Sequence, residues 1–124
     1  MKVQFYDEPN WGPASREEVR FRGLGLYLYE DRKRVAVGFD ITPFQERPNI
    51  EVRLVDDEGG EAASLHVIEA MQPKFSLTMH IRDQSIRDTY DVNAVLYYTS
   101  HESGDRLIVD SLTKKLDTTQ IGEQ

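Results

Sequence analysis

Residues 35–42 constrain this chain more than any other segment. Val35, Val37, Phe39 and Ile41 alternate with Ala36, Gly38, Asp40 and Thr42. Successive side chains leave a pleated strand on opposite faces, so this period of two describes a strand buried on one side. The pattern returns along the chain. Ile50, Val52 and Leu54 alternate with Glu51 and Arg53, and Ala63, Leu65 and Val67 alternate with Ser64, His66 and Ile68. Phe75, Leu77, Met79 and Ile81 oppose Ser76, Thr78, His80 and Arg82, and Leu107 and Val109 alternate with Ile108 and Asp110. No long stretch carries the 3.6-residue period of a helix; only Ser15-Arg16-Glu17-Glu18, with a serine suited to an N-cap, offers a short helical turn.

Two strands depart from simple alternation. Between Val19 and Tyr29, Val19 and Phe21 share one face and Leu24, Leu26 and Leu28 the other, with Gly23 at the switch. Glycine inside a strand marks a bulge, so the chain is expected to bend or change sheets there. In the stripe Tyr90, Val92, Ala94, Leu96 and Tyr98, the interleaved Val95 and Tyr97 are apolar too. A strand apolar on both faces belongs in the centre of a sheet or under a cover. Turn chemistry punctuates the strands at Glu30-Asp31-Arg32-Lys33, Pro43 to Pro48, Asp56 to Gly60, Pro73, Asp83 to Asp88 and Ser100 to Asp105. These readings give about seven strands in one all-β domain, an antiparallel two-sheet sandwich spanning residues 1–124. Residues 1–18 form an N-terminal arm, and the polar tail over 113–124 is expected to fray.

The strand Tyr90-Asp91-Val92-Asn93-Ala94 resembles the tyrosine-bearing penultimate strand of immunoglobulin-like and fibronectin type III-like sandwiches, and the pattern over residues 19–112 is similar to theirs. The resemblance implies a tyrosine hydroxyl that ties down a loop corner. It lacks two hallmarks: the chain has no cysteine, and its one tryptophan, Trp11, lies in the N-terminal arm. Such sandwiches host many functions, so no functional residue follows from the likeness.

Charge narrows the partners. The chain of 124 residues carries a net charge of −7. Its densest basic cluster, Arg16, Arg20, Arg22, Arg32, Lys33 and Arg34, is interleaved with Glu17, Glu18, Glu30 and Asp31. A nucleic-acid surface needs an uncancelled basic stripe, so nucleic acid is not an expected partner. No apolar run approaches the roughly 20 residues of a membrane span, and residues 1–7 lack the apolar core of a signal peptide. Asn10, Asn49 and Asn93 are not followed by a glycosylation pattern. The absence of cysteine excludes disulfides and thiolate chemistry and suits a reducing compartment, so a cytoplasmic protein is the default expectation.

Several constellations of polar residues could carry a site. The run Asp56-Asp57-Glu58-Gly59-Gly60-Glu61 offers oxygens to calcium but lacks the alternate spacing of a calcium loop, and reads as a solvated hairpin turn. His66 and His80 are weak metal candidates, with Glu69 or Asp83, if their strands are neighbours; otherwise they are surface histidines. His101 beside Glu102 reads as exposed. Ser64 or Ser76 with His80 and Asp83 makes a nucleophile system only on paper, without a nucleophile elbow. Gly23-Leu24-Gly25 is not a dinucleotide fingerprint. No catalytic residue, metal or cofactor is therefore expected. The residues with most promise for binding are Tyr27, Tyr29, Tyr97, Tyr98 and Trp11, since aromatic rows pack across strands or meet sugars and partner surfaces. The expected function is a non-catalytic interaction module, self-associating through a sheet face or binding another protein. The alternative is a small-ligand or carbohydrate-binding sandwich, and a metal enzyme at His66 and His80 stands behind both.

Overall fold

The computed structural model describes residues 12–124, and the strands that the alternation demands are all present, with one more. They are β1 (Phe21–Leu28), β2 (Arg34–Ile41), β3 (Asn49–Val55), β4 (Glu61–Val67), β5 (Lys74–His80), β6 (Thr89–Thr99), β7 (Arg106–Asp117) and β8 (Gly122–Glu123). Sheet I has the order β5-β2-β1-β8 and sheet II the order β4-β3-β6-β7, with every pairing antiparallel. The only helical element among the described residues is a 3₁₀ turn, Arg16–Glu18. No helix there is long and apolar enough to cross a membrane.

The alternating stripes meet between the sheets. Leu24, Leu26 and Leu28 with Val35, Val37, Phe39 and Ile41 form one wall. Ile50, Val52, Leu54, Val92, Ala94 and Leu96 form the other, and all of these side chains are buried. Gly23 does mark a bulge: the β1–β2 register shifts between Phe21 and Gly23. The bulge takes up the change of face, so β1 continues in the same sheet and does not cross to the other. β6 is central, flanked by β3 and β7, as an apolar strand on both faces requires. The Tyr90 hydroxyl accepts from the Arg87 amide at 3.1 Å and donates to the Asp83 carboxylate, which ties down the loop before β6.

The acidic turn is a tight hairpin. The Asp56 carboxylate accepts from the amides of Glu58 at 2.9 Å and Gly60 at 2.8 Å, and Gly59 adopts φ +86°. A Cβ at residue 60 would lie 2.7 Å from the Asp56 carboxylate, so a larger residue there would push that carboxylate off the amides it caps.

The tail departs from expectation. Residues 113–117 do not fray; they extend β7 along β6 as far as Asp117, and β8 pairs with Tyr27 and Leu28 of β1. Leu116 and Thr118 are buried. The tail looked disordered in sequence because two of the inward positions of β7 are charged. Asp110 pairs with Leu96 and Lys114 with Val92, on the core side. Each serves the open edge of β1: Asp110 Oδ2 accepts from the Phe21 amide at 2.9 Å, and Lys114 Nζ donates to the Leu24 carbonyl at 2.9 Å. Leu116→Ala should therefore cost about 3 kcal/mol in denaturant unfolding, as expected for a buried leucine; a frayed residue would cost nothing.

Candidate binding surface on sheet I

The four candidate tyrosines, Tyr27, Tyr29, Tyr97 and Tyr98, fall on three different surfaces. Tyr97 and Tyr98 are adjacent on β6 and therefore point to opposite faces. Tyr97 lies on the outer face of sheet II beneath the Arg106 guanidinium, 4.2 Å from the ring centroid. Arg106 also hydrogen-bonds Glu51 and approaches His66 Nε2 at 3.2 Å. That guanidinium holds the Glu51 carboxyl below its ordinary pKa. Tyr98 points into the sandwich, donates to the Glu46 carbonyl at 2.8 Å and lies under Arg16 at 4.8 Å. Both rings are buried, so neither offers a face to a ligand. Trp11 lies outside the described residues.

Tyr27 and Tyr29 project from the outer face of sheet I. Their rings meet edge to face at 5.7 Å and 82°. Arg34 covers Tyr29 at 4.3 Å and is itself held by Asp31 at 2.9 Å. Tyr27 has no such arginine among the described residues and stays 45% exposed. Beside it runs a trough of about 380 Å³. Its floor is made by residues with little or no side chain: Gly25 and Gly38 are direct cross-strand partners, Tyr27 is opposite Ala36, and Gly38 is opposite Ser76. A Cβ at Gly25 would meet nothing within 4 Å, so the glycines leave the space above the strands open. Glu123 and Gln124 close one end. The sequence carried this signal, since counting back from the Tyr29–Arg34 closure of the hairpin pairs Gly25 with Gly38.

The remaining candidates separate. His66 is on β4 in sheet II and His80 on β5 in sheet I, so the two histidines sit on opposite sheets and form no shared metal site. The conditional pairing fails because β4 and β5, though consecutive, belong to different layers. Ser76 and His80 are four residues apart on one strand, roughly 13 Å, too far for a nucleophile and its base. Asp83 is engaged by Tyr90. The carboxylates of Asp56, Asp57 and Glu58 cluster, but Arg87 reaches all three, at 3.4, 3.0 and 3.2 Å, and supplies the positive charge there. His101 is exposed, with its Nε2 3.0 Å from Arg16.

No protein-family model matches the chain, and no curated protein matches it. Among solved structures, a β-glucuronidase from Bifidobacterium dentium is similar over 82% of this chain, at 16% identity and a TM-score of 0.56. A glycosyl hydrolase family 2 member from Bacteroides cellulosilyticus is similar over 81%, at 13% identity and a TM-score of 0.52. The likeness is one of fold. This chain spans 18% and 15% of those two glycosidases, so their activities belong to much longer proteins.

Burial raises the Tyr98 pKa from 10.0 to about 12. A raised pKa means that the neutral phenol stabilises the fold below pH 10, and that this contribution is lost as pH climbs from 10 through about 12. Wild-type stability should fall more steeply than that of Tyr98→Phe across this window in parallel denaturant titrations. Equal slopes would place the hydroxyl in water.

Proposed function

We propose that this domain is a non-catalytic interaction module whose contact surface is the outer face of sheet I. The observation that carries the reading is Tyr27, a large aromatic ring left half open beside a glycine-floored trough while arginines cover Tyr29, Tyr97 and Tyr98. A ring braced by Tyr29 loses little freedom on binding, so its contact area converts efficiently into affinity. A protein partner would set a side chain or a stretch of backbone into the trough. The role of one sandwich within a longer assembly agrees with a fold that recurs as under a fifth of much larger chains. The Tyr90 corner supports an immunoglobulin-like lineage within the sandwich class, and a cytoplasmic setting fits the cysteine-free composition.

The trough favours a second reading, a small-ligand or carbohydrate seat. The apolar face of a sugar ring stacks on tyrosine, and its hydroxyls would meet Ser76 at one end and Glu123 and Gln124 at the other. That the fold recurs in glycosidase chains is what brings a sugar forward among small ligands.

Thermal unfolding against a panel of neutral and acidic oligosaccharides separates the two readings. A sugar present at 100-fold over its Kd should stabilise by about 2.7 kcal/mol, a shift of several degrees. Tyr27→Ala should abolish that shift. A flat panel removes the sugar reading and leaves the protein partner. Any ligand that binds Tyr27→Ala as tightly as wild type removes this surface from the function.

A further inference from the structure

We infer that this chain forms a symmetric dimer by pairing β5 antiparallel with the β5 of a second copy, which merges the two copies of sheet I into one continuous sheet. The inference stands apart from the Tyr27 seat and concerns the edge of the sheet.

β5 is an outer strand. Its neighbouring hydrogen bonds fix which of its groups face inward: the Ile41 amide donates to the Pro73 carbonyl at 2.9 Å, and the Ile81 amide to the Lys33 carbonyl at 2.7 Å. Odd-numbered residues therefore face β2, and the amides and carbonyls of Ser76 and Thr78 face away from the sheet. A two-fold axis at Leu77 sets Ser76 opposite Thr78 of the second copy, and Thr78 opposite its Ser76. Each pair can then exchange both of its hydrogen bonds. The pattern is self-complementary, as an isologous interface must be.

Among the described residues, the core side of the same edge has large apolar side chains left open. Ile68 is 67% exposed, Met71 75% and Leu77 42%. They line a groove of about 340 Å³ with the half-buried Val67 and Phe75. Leu77 is the direct cross-strand partner of the core residue Val37, so its side chain lies on the core side of the sheet. In the dimer the two Leu77 side chains meet on the axis, at the closer spacing of a non-hydrogen-bonded pair, and each groove gains a neighbour.

Charge selects this edge. Two copies of a chain with net charge −7 repel. The β5 sequence Lys-Phe-Ser-Leu-Thr-Met-His holds no carboxylate, whereas the other edge strands carry Glu61 on β4, Asp110 and Asp117 on β7, and Glu123 on β8. The other edges are also guarded. β8 is two residues long, β7 turns Asp110 and Lys114 inward, and the Ala62 carbonyl of β4 accepts from the Arg82 amide at 2.9 Å. Short strands, inward charges and crossing chain are the devices that stop an edge from pairing. The pairing of β5 with β2 has no register shift and its inward residues have no charge.

Sedimentation equilibrium of the full chain, combined with residue-resolved amide exchange, tests the inference. The wild type should show a monomer–dimer equilibrium. Leu77→Lys, which aims two charges at the axis, should weaken it by about tenfold or more. The Ser76 and Thr78 amides should exchange slowly at high protein concentration and quickly on dilution, while the Leu77 amide, bonded to β2, stays protected in both and reports that the strand is folded. A monomer at every concentration overturns the inference, as does a dimer indifferent to Leu77→Lys. A chain that dimerises only after residues 1–11 are removed assigns the edge to that segment and overturns it too.

Discussion

Exclusion of water from the layer between two pleated sheets decides where almost every side chain of this domain goes. The two facing stripes, from Leu24, Val37 and Phe39 on one side to Val52, Val92 and Leu96 on the other, bury each other. A slip of one residue in any pairing would turn a whole stripe outward, so register is held tightly wherever the layer is covered. The bulge at Gly23 is a local consequence. Val19 is buried along with Leu24 despite the odd spacing, because one extra residue restores the phase. Away from the covered layer the constraint relaxes, and there the chain carries its glycine trough and its open groove.

Arginine plays a recurring part on the outside of that layer. Arg16, Arg34 and Arg106 each place the guanidinium over a tyrosine ring, and each is also bonded to a carboxylate, Glu46, Asp31 and Glu51 respectively. A guanidinium over a ring is attracted to its π face and keeps N–H donors for a carboxylate. The arrangement lets an acidic protein shield apolar rings with charged groups that water tolerates. Tyr27 lies outside this scheme, which is why it stands out as a surface and not as packing.

The sequence made the strands legible because burial on one face writes itself as alternation. Seven strands follow from that rule, and the eighth does not, because two residues at Gly122–Glu123 carry no period. The end of β7 was illegible for a sharper reason. Asp110 and Lys114 occupy core-side positions, but their task is to satisfy backbone groups on β1, so the stripe is broken by a contact about 90 residues away in sequence. The histidine pair failed for a similar reason: alternation gives the face of a strand but not which layer it joins. Tyr97 and Tyr98 read as available rings because nothing local announces that Arg106 and Arg16 will close over them. The trough was within reach, since hairpin counting pairs Gly25 with Gly38.

The side-chain seal on β1 has a kinetic meaning. Phe21 and Leu24 belong to the first strand, and the groups that complete their hydrogen bonding come from nearly the last. A polypeptide emerging from the ribosome exposes that seam throughout its synthesis, and closing it requires the entire intervening chain to be looped out. Non-local closures of this kind slow folding, so a partly synthesised chain holds an adhesive flank that only its own C-terminal portion can quench.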